Sequence, residues 1–157
     1  MTTTYAQIHD NLVRQWKGFE LLYSLMEEEF SLLCKGDTDA ISSLEFSVHE
    51  LLRQLGVERN EIKTAMQGTR LGEYSEMLSQ EEGGAIRALL VSIDAAEQKA
   101  ARQASHNAEL SLALLDQNHA LMTYLHDQVV PKPQLTYGAK GLFRESRPQA
   151  ALISGRL

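Results

Sequence analysis

The sequence predicts an all-α protein: an elongated, antiparallel, coiled-coil-like helical bundle of three to four helices with a flexible C-terminal tail. Three observations predict it. All three prolines, Pro131, Pro133 and Pro148, lie in the last 27 of 157 residues, and an interior proline costs a helix about 3 kcal/mol. Apolar residues recur at spacings of three and four over residues 5–34 and 41–55, which places them on single helix faces. Residues 85–129 contain neither proline nor glycine, enough for one helix of roughly 68 Å at 1.5 Å per residue.

The first helix is read from Ile8, Leu12, Trp16, Phe19, Leu22, Met26, Phe30 and Leu33, with Leu21, Leu25 and Leu32 widening the stripe. A stripe of that width touches more than one neighbour. The acidic run Glu27-Glu28-Glu29 falls on the outer face, and Gly36 suits the left-handed residue that ends a helix. Asp37 or Thr38 can cap a second helix, whose stripe of Ile41, Leu44, Val48, Leu51 and Leu55 ends at Gly56. So short a connection makes the first two helices antiparallel neighbours. After a kink at Gly56, Val57, Ile62, Ala65 and Met66 give two or three further turns. Gly68, Gly72 and the Gly83-Gly84 pair punctuate a looser connection, within which Leu71, Tyr74 and Met77-Leu78 can form a short helix. The long helix opens on Ile86, Leu89, Leu90 and Ile93 and closes on Leu112, Leu115, Leu121, Met122 and Leu125. Between them its seam is alanine, at 96, 100, 101, 104 and 108. Alanine lets a facing helix come close but adds little hydrophobic driving force.

At this length there is room for one domain with a real core, read as a helical bundle over residues 1–130 and a flexible basic tail over 131–157. The net charge of −6 is unevenly spread: residues 132–157 carry +4 and the rest −10. An acidic body argues against nucleic acid as a partner, because phosphate binding needs clustered positive charge. The basic tail is a solvated segment or a contact for an acidic surface. The single cysteine, Cys34, excludes an intrachain disulfide and a cysteine-rich metal site; its apolar surroundings predict a buried, small hydrophobe. The first ten residues lack the pattern of a signal peptide, and no window approaches the ~20 apolar residues that span a bilayer. The reading is a cytoplasmic protein without membrane insertion.

No Ser/His/Asp or Cys/His set, glycine-rich phosphate loop, CxxC or HExxH pattern is present, so no catalytic residue, cofactor or metal site is assigned and the chain is not read as an enzyme. His119 and His126, seven apart, lack the Glu-x-x-His pairs of bundle-type metal centres. His49, in HELLRQLG, invites comparison with phosphotransfer domains, but Leu52 and Arg53 stand where those place lysine and glycine. The stretch from Leu114 to Gly141 is the more informative one: the last helical turns, a double-proline stop and a tail carrying Tyr137. Asn107, Ser111 and Asn118 lie along the edge of the apolar stripe. They are watered at the bundle boundary, or they edge a groove that another helix fills; unpaired burial would cost about 1–3 kcal/mol each.

These residues carry a family resemblance. The hairpin Leu32-Leu33-x-x-Gly36-Asp37, the run Leu51-Leu52-x-x-Leu55-Gly56-x-x-Arg59, and Asn118-x-x-Leu121 followed by Thr136-Tyr137-Gly138-x-x-Gly141 together resemble FlgN, the flagellar type III export chaperone family. The resemblance covers nearly the whole chain as architecture, and the last motif is the most specific. The chain departs at Lys140, where the family commonly has an acidic or amide residue. The resemblance implies a chaperone that binds the C-terminal helical segments of flagellar hook-associated proteins of the FlgK and FlgL type. It would prevent their premature assembly and deliver them to the export gate component of the FlhA type. The partner-binding residues are then Leu114, Asn118, Leu121, Met122 and Leu125 on the helix, with Tyr137 and Gly138 in the tail. Tyr137 either meets the export gate or docks the tail onto the bundle. A monomer or weak homodimer is expected; the alternative is a helical scaffold or a phosphotransfer-type signalling module.

Overall fold

A computed structural model of the chain describes residues 5–130, and the backbone alone at 136–137 and 143–144. The architecture is all-α, with four helices: α1 (Tyr5–Lys35), α2 (Thr38–Ala65), α3 (Leu71–Met77) and α4 (Gln80–Val129). A two-residue antiparallel pair, β1 (Thr136–Tyr137) with β2 (Phe143–Arg144), sets Thr136 opposite Arg144 and Tyr137 opposite Phe143. The chain divides after Ser111 into two units, residues 1–111 and 112–157. The first contains α1, α2, α3 and most of α4; the second begins within α4 at Leu112.

The α1–α2 turn is built by two residues. Gly36 takes φ +70°, its N–H donates to the Leu33 carbonyl (3.1 Å), and the Asp37 N–H donates to that of Leu32 (3.2 Å). This pairing satisfies the last carbonyls of α1, and a residue with a Cβ would be strained at Gly36. The Asp37 carboxylate then accepts from the Ala40 N–H (3.1 Å), capping α2 as the sequence leads one to expect.

Within the first unit, α1 and α2 are antiparallel. Arg14 donates twice to Glu58 (2.8 Å each), and buried Asn11 donates to the Glu58 carboxylate (2.6 Å) and carbonyl (3.1 Å). In α4, Glu97 accepts from Arg59 of α2 (2.5 Å), while Lys99 stands over the Tyr23 ring of α1. Asn107 donates to the Met26 carbonyl and to Glu29, both at 2.8 Å. Level 99 thus meets 23 and level 107 meets 26–29, so α4 runs parallel to α1 and antiparallel to α2. The core between them is Ile8, Leu12, Phe19, Leu22 and Met26 with Leu55, Ile62, Met66, Ile86, Ile93, Ala96 and Ala100.

Several expectations need correction. α2 does not end at Gly56 but runs unbroken through it to Ala65. Glycine in a helix costs about 1 kcal/mol relative to alanine, whereas burying Ile62 and Met66 contributes about 1.5–3 kcal/mol each. Gly83-Gly84 is helix rather than punctuation, because Ser79 caps α4: its hydroxyl accepts from the Glu82 N–H (3.3 Å) and donates to the Glu82 carboxylate (2.9 Å). Cys34 is exposed, since the last turn of α1 buries neither that position nor its neighbour Lys35. Trp16 and Phe30 are also exposed, and core places near Trp16 go to Asn11 and Gln15, joined by a 2.7 Å hydrogen bond. Of the alanine seam, 96 and 100 are buried while 101, 104 and 108 are exposed. Glu29 is not simply an outer-face charge but the acceptor for Asn107.

A Cβ on Gly83 would overlap the Ser75 carbonyl of α3, and one on Gly84 would meet nothing. Backbone cannot step aside as a flexible side chain can. Gly83→Ala is therefore expected to lower unfolding stability by about 1–3 kcal/mol, while Gly84→Ala raises it by up to about 1 kcal/mol. Urea denaturation of the two variants beside the parent chain checks the opposite signs.

Candidate functional site

α4 changes character along its length. In the first unit the residues at sevenfold spacing, Ile86, Ile93, Ala100 and Asn107, are all buried. In the second unit the large apolar side chains are uncovered. Leu112, Leu115, Leu121, Met122, Leu125 and Val129 are each between 44% and 65% exposed. Leu114 is half-buried and Asn118 exposed.

The uncovered residues form a seam. Leu115, Asn118, Met122, Leu125 and Val129 follow spacings of three, four, three and four, the repeat by which one helix packs against another. Leu114 and Leu121 widen it on one side, and His119 and His126 border it on the other. Isolated exposed leucines need no explanation, but a continuous apolar stripe marks an interaction surface. Full burial would contribute about 1.5–3 kcal/mol per large side chain, before the ordering and association costs that reduce any such sum.

The structure separates the polar residues that the sequence grouped. Asn107 belongs to the core of the first unit, satisfied by Met26, Glu29 and Gln103. The Ser111 hydroxyl donates to the Asn107 carbonyl (2.9 Å) along its own helix. Asn107 is therefore core, while Ser111 and Asn118 are exposed, Asn118 on the seam. Gly138 lies outside the described residues, and of Tyr137 only the backbone in β1 is described.

A second apolar feature, not foreseen from the sequence, lies in the first unit. A groove of about 260 Å³ has Phe19, Leu22 and Met26 as its floor, with Val48 and Leu52 of α2 facing Ala101 and Ala104 of α4. The signal was the alanine run itself, since a methyl group opposite a leucine leaves space. A polar cleft of about 330 Å³ lies between the start of α1 and the end of α2, beside the Arg14–Glu58 pair. The hydrogen bonds to Glu58 are the main cause of the raised Arg14 pKa, so this arginine stays charged. His49 is exposed on α2, and its neighbour Arg53 pairs with Glu50 (2.6 Å). Among the described residues, no group of three or more His, Cys, Asp or Glu is placed to hold a metal ion. No described helix is long and apolar enough to cross a membrane.

The fold and this uncovered seam define an all-α bundle protein whose longest helix ends in an unpaired apolar face. The FlgN family model, described as FlgN protein, matches residues 1–144. The chain belongs to the FlgN family, a chaperone family, which gives it a flagellar export chaperone role. No curated protein and no solved structure matches the chain.

The contrast in burial along α4 predicts a contrast in stability. Ile93→Ala should cost about 2–5 kcal/mol, the range for a buried aliphatic cut to alanine. Leu115→Ala and Met122→Ala should each fall within about 0.5 kcal/mol of the parent. Thermal and urea unfolding of the three variants would show it.

Proposed function

We propose that the seam formed by Leu114, Asn118, Leu121, Met122 and Leu125 binds the C-terminal helical segments of hook-associated proteins of the FlgK and FlgL type. The observation that carries this is the exposure of the apolar seam in an otherwise well-packed helix. Segments that later pair with one another in an assembly carry apolar stripes before they do so. A preformed helix of matching repeat covers such a stripe and keeps it from self-association. Family membership supplies the setting, flagellar export.

Delivery is assigned to the tail. The Thr136-Tyr137-Gly138 motif, followed by Gly141, is the most specific part of the likeness to the family, and Tyr137 with Gly138 is the proposed contact for the FlhA-type component of the export gate. The division of labour is a bundle over residues 1–130 that holds the client and a tail over 131–157 that addresses it. Both events take place in the cytoplasm.

Co-expression with tagged hook-associated proteins, followed by calorimetry on the purified complex, tests the reading. Leu121→Asp or Met122→Asp places a carboxylate in the seam and should weaken client binding by roughly 100-fold or more, since an unpaired buried charge costs several kcal/mol. Tyr137→Ala should leave client binding unchanged and reduce capture by the purified gate component. If the full-length chain retains neither hook-associated protein, the client assignment is wrong.

A further inference from the structure

The seam contains one residue that does not suit an apolar partner. Asn118 sits between Leu115 and Met122, is exposed, and its side chain makes no hydrogen bond among the described residues. A helix seated on this seam would remove its amide from water. If that amide met only apolar atoms, the unsatisfied group would act against binding.

The same helix shows how such a residue is accommodated. Asn107 is buried, and its amide donates to a backbone carbonyl of α1 and to the Glu29 carboxylate, while its own oxygen accepts from Gln103 (3.0 Å). An asparagine on this helix is thus covered by a second helix that brings a polar side chain to it.

The borders of the seam make Asn118 decisive. In most two-helix seams, charged residues at the flanking positions choose partner and alignment. Here the flanks hold His119 and His126 on one side and Leu114, Leu121 and Gln128 on the other, with no Lys, Arg, Asp or Glu. Apolar layers alone tolerate a shift of one heptad, because leucine against leucine is much the same in either alignment. A single polar layer does not.

We infer that Asn118 sets the register of the bound client helix, and that the segment filling the seam carries an amide or carboxylate side chain within its own apolar stripe, facing Asn118. This rests on the client-binding reading above and names the partner's chemistry. A client with an uninterrupted apolar stripe is discriminated against at this layer, on the order of tenfold for each hydrogen bond forgone.

Disulfide trapping on the full-length chain tests it. In a Cys34→Ser background, which removes the exposed native thiol, His119→Cys is paired with single cysteines placed along the stripe of the hook-associated protein that the parent chain captures. The expected result is trapping at one client position with Asn118 present. With Asn118→Leu, trapping should spread to positions one heptad away, although total capture is equal or greater. A single unchanged trapping position in the Asn118→Leu chain overturns the inference while leaving client binding intact. Client capture without trapping at any position, or trapping only between two copies of this chain, overturns it as well. If the parent chain captures no hook-associated protein, the client reading itself falls, and this inference with it.

Discussion

The register of α4 on α1 is the constraint on which the rest of the structure depends, and Asn107 sets it. Its amide is buried and joins the Met26 carbonyl to the Glu29 carboxylate at 2.8 Å. Sliding α4 by one turn would strand that amide, at a cost of about 1–3 kcal/mol. It would also carry Glu97 from Arg59 and Lys99 from the Tyr23 ring. The alanines at 96 and 100 could not resist the slip, since a methyl group packs almost as well one turn away. Apolar burial makes these helices associate; the polar contact decides how. The α1–α2 hairpin shows the same arrangement, with Asn11, Gln15, Arg14 and Glu58 forming one connected polar layer. Such layers add little net stability, but they penalise every alternative alignment.

Within the first unit, α1 ends soon after that contact. Asn107 is level with Met26–Glu29, and α1 ends at Lys35, less than two turns past Glu29. The stop is firm, because Gly36 is left-handed and Asp37 already caps the next helix. α4, by contrast, continues to Val129 and keeps the apolar repeat that its earlier turns use for packing. A helix with no further use for that repeat would be expected to turn polar. The uncovered leucines are therefore a feature of the sequence that the core does not account for.

The sequence made legible what depends on local chemistry. Helix faces followed from spacing, the hairpin from Gly36 and Asp37, and the seam at 114–125 from the leucine pattern. What escaped depended on neighbours distant in the chain. Gly83 reads as a breaker until α3 is seen to press its Ser75 carbonyl against it. Gly56 reads as a break between two stretches of helix until α2 is seen to run unbroken to Ala65, with Ile62 and Met66 buried beyond the glycine. Trp16 lies on the stripe by spacing, yet Asn11 and Gln15 take core places because Glu58 of α2 accepts from the Asn11 amide, whose oxygen accepts in turn from Gln15. Asn107 and Asn118 are alike in sequence; Asn107 is core because α1 brings the Met26 carbonyl and Glu29 to it, whereas Asn118 is exposed. Tyr137 and Gly138 rest on resemblance to the family.

A seam at the end of an established helix also differs physically from the same residues as a free peptide. A segment the length of 112–129 would be marginally helical alone, because starting a helix fixes several residues for one hydrogen bond. Continuous with α4, whose preceding turns are held by the core of the first unit, it has no such starting cost. A partner that docks on it must order only itself. Ordering costs of this kind commonly amount to 2–5 kcal/mol for a segment that folds on binding, so supplying one helix ready-made removes a comparable term from the side of the holder. Under the proposed client reading, what remains would be set by the client: how readily its segment becomes helical, and whether its polar residue falls level with Asn118. An affinity that depends on the client's own folding is one that a later binding partner can overcome, once that partner offers the same segment a better-matched helix. On the proposed reading, holding without permanence is what transfer to an assembly would require, and the length of the seam, its borders without Lys, Arg, Asp or Glu and its single polar layer would supply it.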